Sequence, residues 1–211
     1  INMFLDFFKH YSSFLNYYSL NILEKDVTIY SENKNYWPYL KEILFALLED
    51  KQLSICYVTS DFNDPGLLVN NKNLKKFCIG NGHIRDFFFR TLDTKIILMT
   101  MPDLNNFQIK KSKNIINYVY VQHSLNSLHM AYREGAFNHF DTIVCAGEHH
   151  LREMIEIEKY FKLEPKLKLK YRYYPIYSLK EKIINLSSTD KRNIKKTILI
   201  APTWGKNGLI E

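Results

Sequence analysis

Short apolar runs rich in β-branched and aromatic residues alternate along this chain with stretches of helical periodicity. A strand with water on one face alternates polar and apolar side chains, whereas a parallel strand covered on both faces is apolar throughout. Strand candidates lie at 27–30, 53–59, 76–79, 95–100, 118–122, 142–145, 167–173 and 197–201; apart from the alternating run at 167–173 they are mostly of the second kind, and most are followed by turn residues. The pattern predicts an α/β fold, a Rossmann-like parallel sheet flanked by helices.

The intervening segments fit that reading. Leu40, Ile43, Leu44, Leu47 and Leu48 form a helical stripe, with Asn35 placed to cap it and Pro38 in its first turn. Gly80-Asn81-Gly82 is a turn leading into a helix through Ile84, Phe87, Phe88 and Leu92, and a further helix spans 149–163, where Pro165 follows. Trp37 and Phe87 to Phe89 are expected in the core. A helix over about 2–24 carries Phe4, Leu5, Phe7, Phe8, Tyr11, Phe14, Leu15 and Tyr18, and is expected to dock on the domain or to lie on a membrane surface.

The 211 residues are 46% hydrophobic and 24% charged, the balance of a packed globular chain. Cys56, Cys78 and Cys145 are far apart and lie within apolar runs, which reads as reduced, buried thiols in a cytoplasmic protein. Asp6, Lys9 and His10 interrupt the opening apolar segment, and no run reaches the length of a membrane span or has a signal-peptide pattern.

The net charge of +7 is concentrated: residues 159–196 hold twelve Lys or Arg against Glu164, Glu181 and Asp190. There Lys166, Lys168, Lys170 and Arg172 alternate with Leu167, Leu169 and Tyr171, which on a strand gathers the cations on one face. That face suits an anionic partner such as a lipid headgroup or a polyphosphate-like acceptor, or is a solvated basic edge. Nucleic acid is not an expected partner, because no recognisable binding module is present.

Open parallel sheets bind ligands beyond the carboxyl ends of their strands. No Gly-x-Gly-x-x-Gly and no Walker glycine-lysine loop occurs there, so an ordinary dinucleotide or NTP site is not expected. The run Tyr118-Val119-Tyr120-Val121-Gln122-His123-Ser124 delivers a histidine to that edge. His123 is placed to be a general base or, alternatively, to brace the next segment through a backbone hydrogen bond. Glu148, His149 and His150 with Cys145 lack standard zinc spacing and are expected to be incidental. His129 and His139 flank a stretch with Tyr132, Arg133, Glu134 and Phe137 that reads as helical.

From about residue 115 to 205, Gln122-His123-Ser124, Ala146-Gly147-Glu148, Tyr173-Tyr174-Pro175 and Ile200-Ala201-Pro202-Thr203-Trp204 occur in order. This series resembles the CDP-glycerol glycerophosphotransferase family of teichoic-acid and capsule enzymes. Ser124 stands where that family has glycine, Gly147 where it has serine, and Gly205 where an arginine is common.

The resemblance implies a GT-B architecture of two Rossmann-like domains facing across a cleft. Residues 1–190 would be the acceptor-side domain, and 191–211 the linker and first strand of a nucleotide-binding domain. His123 would be the catalytic base; Ser124, Arg133 and Glu148 would bind acceptor or phosphate; Pro202, Thr203 and Trp204 would open the second domain. The implied reaction takes glycerol phosphate, or a related polyol phosphate, from CDP-glycerol or another nucleotide-diphosphate donor to a polymer or lipid-linked acceptor. No cofactor and no metal-binding residue are expected, and the reaction would run in the cytoplasm or on the inner membrane face. The part present here would be inactive alone. A GT-B glycosyltransferase using a sugar nucleotide, and a non-catalytic membrane or partner binding module, are the alternatives.

Overall fold

The structure is a computed structural model that describes residues 2–107 and 109–170. The expected strand at 197–201, the Tyr173-Tyr174-Pro175 and Ala-Pro-Thr-Trp matches, and the boundary near residue 190 lie outside the described residues. Within them the chain runs α1 (Asn2–Tyr18), β1 (Val27–Ser31), α2 (Trp37–Glu49), β2 (Ile55–Thr59), β3 (Leu74–Cys78), α3 (His83–Thr91), β4 (Ile96–Met99), β5 (Asn117–Val121), α4 (Leu128–Ala131), β6 (Thr142–Cys145), α5 (Glu148–Phe161) and β7 (Leu167–Lys170). Short 3-10 turns at Ile22–Glu24, Lys34–Tyr36 and Pro65–Leu68 join them. No helix among the described residues is long and apolar enough to cross a membrane.

All seven strands form one sheet in the order β3-β2-β1-β4-β5-β6-β7, and every pairing is parallel. Both faces are covered, as the unbroken apolar runs require. Val27, Ile29, Ile55, Tyr57, Leu98, Val119 and Val121 pack with Leu40, Leu44 and Leu48 of α2 on one face. Tyr30, Cys56, Val58, Ile97, Met99, Tyr118, Tyr120 and Ile143 pack on the other with Phe14 and Tyr17 of α1, Phe88 and Phe89 of α3 and Met154 of α5. Each buried leucine of α2 contributes roughly 2 kcal/mol of apolar burial. Phe87 is an exception to the expected core, at 55% exposed.

Helix α1 docks through its carboxyl-terminal half. The Tyr17 and Tyr18 rings lie 4.9 and 5.8 Å from the ammonium of Lys25, which is fully buried and paired with Asp93 at 2.7 Å. Ser13 Oγ accepts the backbone N–H of Cys78 on the sheet's edge strand, while Leu5, Phe7, Phe8, Tyr11 and Leu15 stay exposed. The three cysteines are buried free thiols, and burial pushes Cys56 up to about 12 and Cys78 and Cys145 up to about 11.

Three sequence expectations change. Asn33, not Asn35, supplies a cap: its side chain accepts the N–H of Asn35 and starts the 3-10 turn that feeds α2. The stretch from Tyr132 to Phe137 is not helical: the single helical turn α4 ends at Ala131, Tyr132 is already extended (φ −112°, ψ 153°), and turns follow, with Gly135 at a φ of 81°. At β7 the two described lysines, Lys166 and Lys168, turn toward the domain instead of forming a solvated row, and the Lys170 and Arg172 side chains lie outside the described residues. Lys168 is 12% exposed and pairs with Glu158 of α5 at 2.7 Å, Lys166 Nζ donates to the Asn138 carbonyl, and Leu167 and Leu169 are the exposed side chains.

Gly66 lies against the ring of buried Tyr57, so a β-carbon there would be driven into the aromatic atoms. Gly66→Ala is therefore expected to lose about 2 kcal/mol through overpacking. A lowered urea midpoint with an unchanged slope is the expected reading, and an unchanged midpoint would show that the ring yields freely.

Candidate functional site

The strand order reverses between β1 and β4, because the chain leaves β1 toward β2 and β3 and returns to β1's other side with β4. Such a switch point opens a crevice at the carboxyl edge. At that edge stand Glu32 after β1, Thr100 after β4 and, two residues beyond β5, His123.

His123 is half-buried, with its ring set edge-on among three tyrosines. The Tyr36 and Tyr39 rings come from the start of α2, at centroid distances of 5.3 and 6.0 Å, and Tyr120 lies at 6.5 Å from within β5 itself. Nδ1 is 3.4 Å from the Tyr120 hydroxyl, and the ring also hydrogen-bonds the backbone carbonyl of Thr100. Burial pushes the imidazole below its ordinary value, partly opposed by that carbonyl. The ring is thus neutral at pH 7, and the bracing and proton-accepting roles are both open to it.

Tyr132 gathers the polar groups around this ring. Its hydroxyl accepts from Tyr120 Oη at 3.3 Å and from Gln122 Nε2 at 3.1 Å, and lies 3.4 Å from Ser124 Oγ. Burial keeps the Tyr120 hydroxyl well above its usual range, so it remains a donor. Two acceptors here, Gln122 Oε1 and Thr100 Oγ1, are buried and have no hydrogen-bond partner among the described residues. On the β1 side, Tyr36 donates to the Glu32 carboxyl, which burial pushes above its ordinary range.

The expected site residues separate. Ser124 joins the His123 network through Tyr132 and Gln122. Arg133 is exposed and stacks over the Phe107 ring at 4.8 Å, bordering an apolar cleft of about 720 Å³ between α5 and the 128–138 loop. Glu148 sits in the first turn of α5, 3.9 Å from Arg152, where a carboxylate complements the helix dipole. Pro202, Thr203 and Trp204 lie outside the described residues. His150 is fully buried with Nε2 2.8 Å from the Asn126 carbonyl, so it anchors the loop after β5, and no three His, Cys, Asp or Glu among the described residues cluster as a metal site.

Sequence reasoning missed Tyr36, Tyr39 and Tyr132. The place of Tyr36 beside the β1-to-α2 turn was a usable signal. Comparison with protein-family models, with curated proteins and with solved structures finds no match to this chain.

Proposed function

We propose that this domain is the acceptor side of a transferase that moves glycerol phosphate, or a related polyol phosphate, from a CDP-activated donor to a cell-surface polymer acceptor. The single observation that carries this reading is a half-buried histidine at the switch point of a seven-stranded parallel sheet, where burial lowers its pKa. The acceptor hydroxyl loses its proton to His123 as its oxygen attacks the glycerol-side phosphorus. The new O–P bond forms while the bond to the CMP oxygen breaks, and CMP leaves. Phosphoryl transfer asks for positioning and charge stabilisation more than covalent help, so one placed base is a sufficient contribution from this half. Ser124 and the Tyr132 hydroxyl are in reach of that network to orient an acceptor.

Partners follow from the same reading: a nucleotide-activated donor, and a polymer or lipid-linked acceptor. The aromatic residues that α1 leaves exposed, Phe7, Phe8 and Tyr11, suit the interfacial region of a membrane, which would place the protein on the inner membrane face. The test is a donor panel on the protein that carries this domain. Acceptor-dependent CMP release from CDP-glycerol is the expected result. Turnover of a UDP-sugar instead would move the assignment to a glycosyltransferase, and turnover of neither would leave a binding module.

A further inference from the structure

We propose that the polar cleft beyond the carboxyl ends of β1, β2 and β3 binds a neutral polyhydroxylated ligand, a sugar or polyol. It has a volume of about 360 Å³ and lies on the opposite side of β1 from His123. Its walls are the loops that follow three adjacent strands, the start of α3, and His10 of α1. The inference stands on this lining and not on the transfer reaction.

The lining decides the class of guest. Glu32 and Asp61 stand against Arg85, and the Lys9 ammonium lies 5.8 Å from the Phe62 centroid, so the cleft holds charges of both signs and neither dominates it. Ser60, Asn63 and Asn81 complete a wall of hydroxyl and carboxamide groups that an apolar guest would leave unsatisfied. A ligand that both donates and accepts at each position matches all of them, which is the chemistry of adjacent hydroxyls.

The groups are held ready. Asp61 accepts the backbone N–H of Lys34 at 3.2 Å on Oδ2 and that of Asn63 at 2.8 Å on Oδ1, which leaves a second lone pair on each oxygen. The Arg85 side chain is 16% exposed and hydrogen-bonds the Tyr30 hydroxyl, while its contacts to Asp86, at 3.3 and 3.4 Å, and to Asn81, at 3.4 Å, are long. A ligand hydroxyl can compete with contacts of that length.

Phe62 supplies what a polar wall lacks. Its ring is 44% exposed and stacks on the His10 imidazole at 4.3 Å and 19°. His10 in turn lies against Gly80, whose φ of 64° and missing β-carbon let the imidazole approach the end of β3. One aromatic face is thereby propped in the cleft, and the C–H face of a sugar packs on such a ring.

Saturation-transfer NMR on the whole protein tests this, with ribitol and methyl β-glucopyranoside as probes and inorganic phosphate as competitor. Saturation is expected to reach the carbon-bound protons of a probe. Phe62→Ala and Asn63→Ala, both at exposed positions, are each expected to weaken its Kd about tenfold while leaving the unfolding transition in place. Silence from both probes, affinity unchanged in both variants, or phosphate bound more tightly than either probe would overturn the proposal. None of these outcomes bears on His123.

Discussion

Asp64→Ala is expected to destabilise the domain by about 4 kcal/mol, in the range found when one partner of a buried charged network is removed. The carboxyl is 1% exposed and accepts four hydrogen bonds. Ser31 Oγ at the end of β1 approaches at 2.6 Å, while Thr59 Oγ1 at the end of β2, Tyr57 Oη and the Gly66 N–H each lie at 2.9 Å. Truncation orphans the Tyr57, Thr59 and Gly66 donors, while Ser31 Oγ still reaches the Asn33 carbonyl at 3.1 Å, in a place where little water can replace the carboxylate. Asp64→Asn keeps the shape but turns an amide N–H₂ toward donors, so it should cost about half as much. Urea unfolding at neutral pH reads both, and a loss below about 1 kcal/mol for Asp64→Ala would mean that these donors find other partners.

His123→Ala is expected to lower kcat for CMP release by about 10²-fold to 10⁴-fold with little change in the donor KM, the signature of a lost general base. The ring is half-buried and belongs to no core cluster, so the fold should persist. Because burial depresses its pKa, the neutral form extends to lower pH than for a free imidazole of 6.5. Wild-type rate should therefore fall only as pH drops through a value below 6.5, and the variant should lack that limb. The sign for stability agrees: the unfolded imidazole takes up its proton first, so this group's contribution is full above 6.5 and shrinks as pH falls toward the folded pKa. A variant with an unchanged rate and an unchanged acidic limb would assign His123 to bracing the Thr100 carbonyl alone.

The sheet was legible because strands covered on both faces leave a compositional mark. The run at 142–145 matches β6 residue for residue, and Pro38 marked the first turn of α2. The misses fall where a local pattern fixes a relation and not its sense. Alternation says that Lys166 and Lys168 share a face of β7, but Glu158, ten residues before Lys168, decides that this face turns inward. Periodicity around Tyr132 suggested helix, but the helical turn ends at Ala131 and Tyr132 itself is extended, a break that spacing alone does not mark. His123 was legible as a strand-end residue, whereas its ring of tyrosines was not, since Tyr36 and Tyr39 arrive from α2 and meet it only once β1, β4 and β5 lie side by side. Asp64 read as part of a turn, and its four donors, on β1, β2 and the turn itself, emerge only in three dimensions.

The account depends on an imidazole at the end of β5 that is uncharged at neutral pH. An NMR titration of the His123 Cε1–H resonance in the folded protein measures this directly. The midpoint should lie below 6.5, with the Tyr36 and Tyr120 ring signals shifting in the same step. A midpoint above 6.5 would show that burial does not depress this group, and one above pH 7 would make the ring mostly a cation at that pH, with no lone pair for an acceptor proton, and would contradict the proposed chemistry.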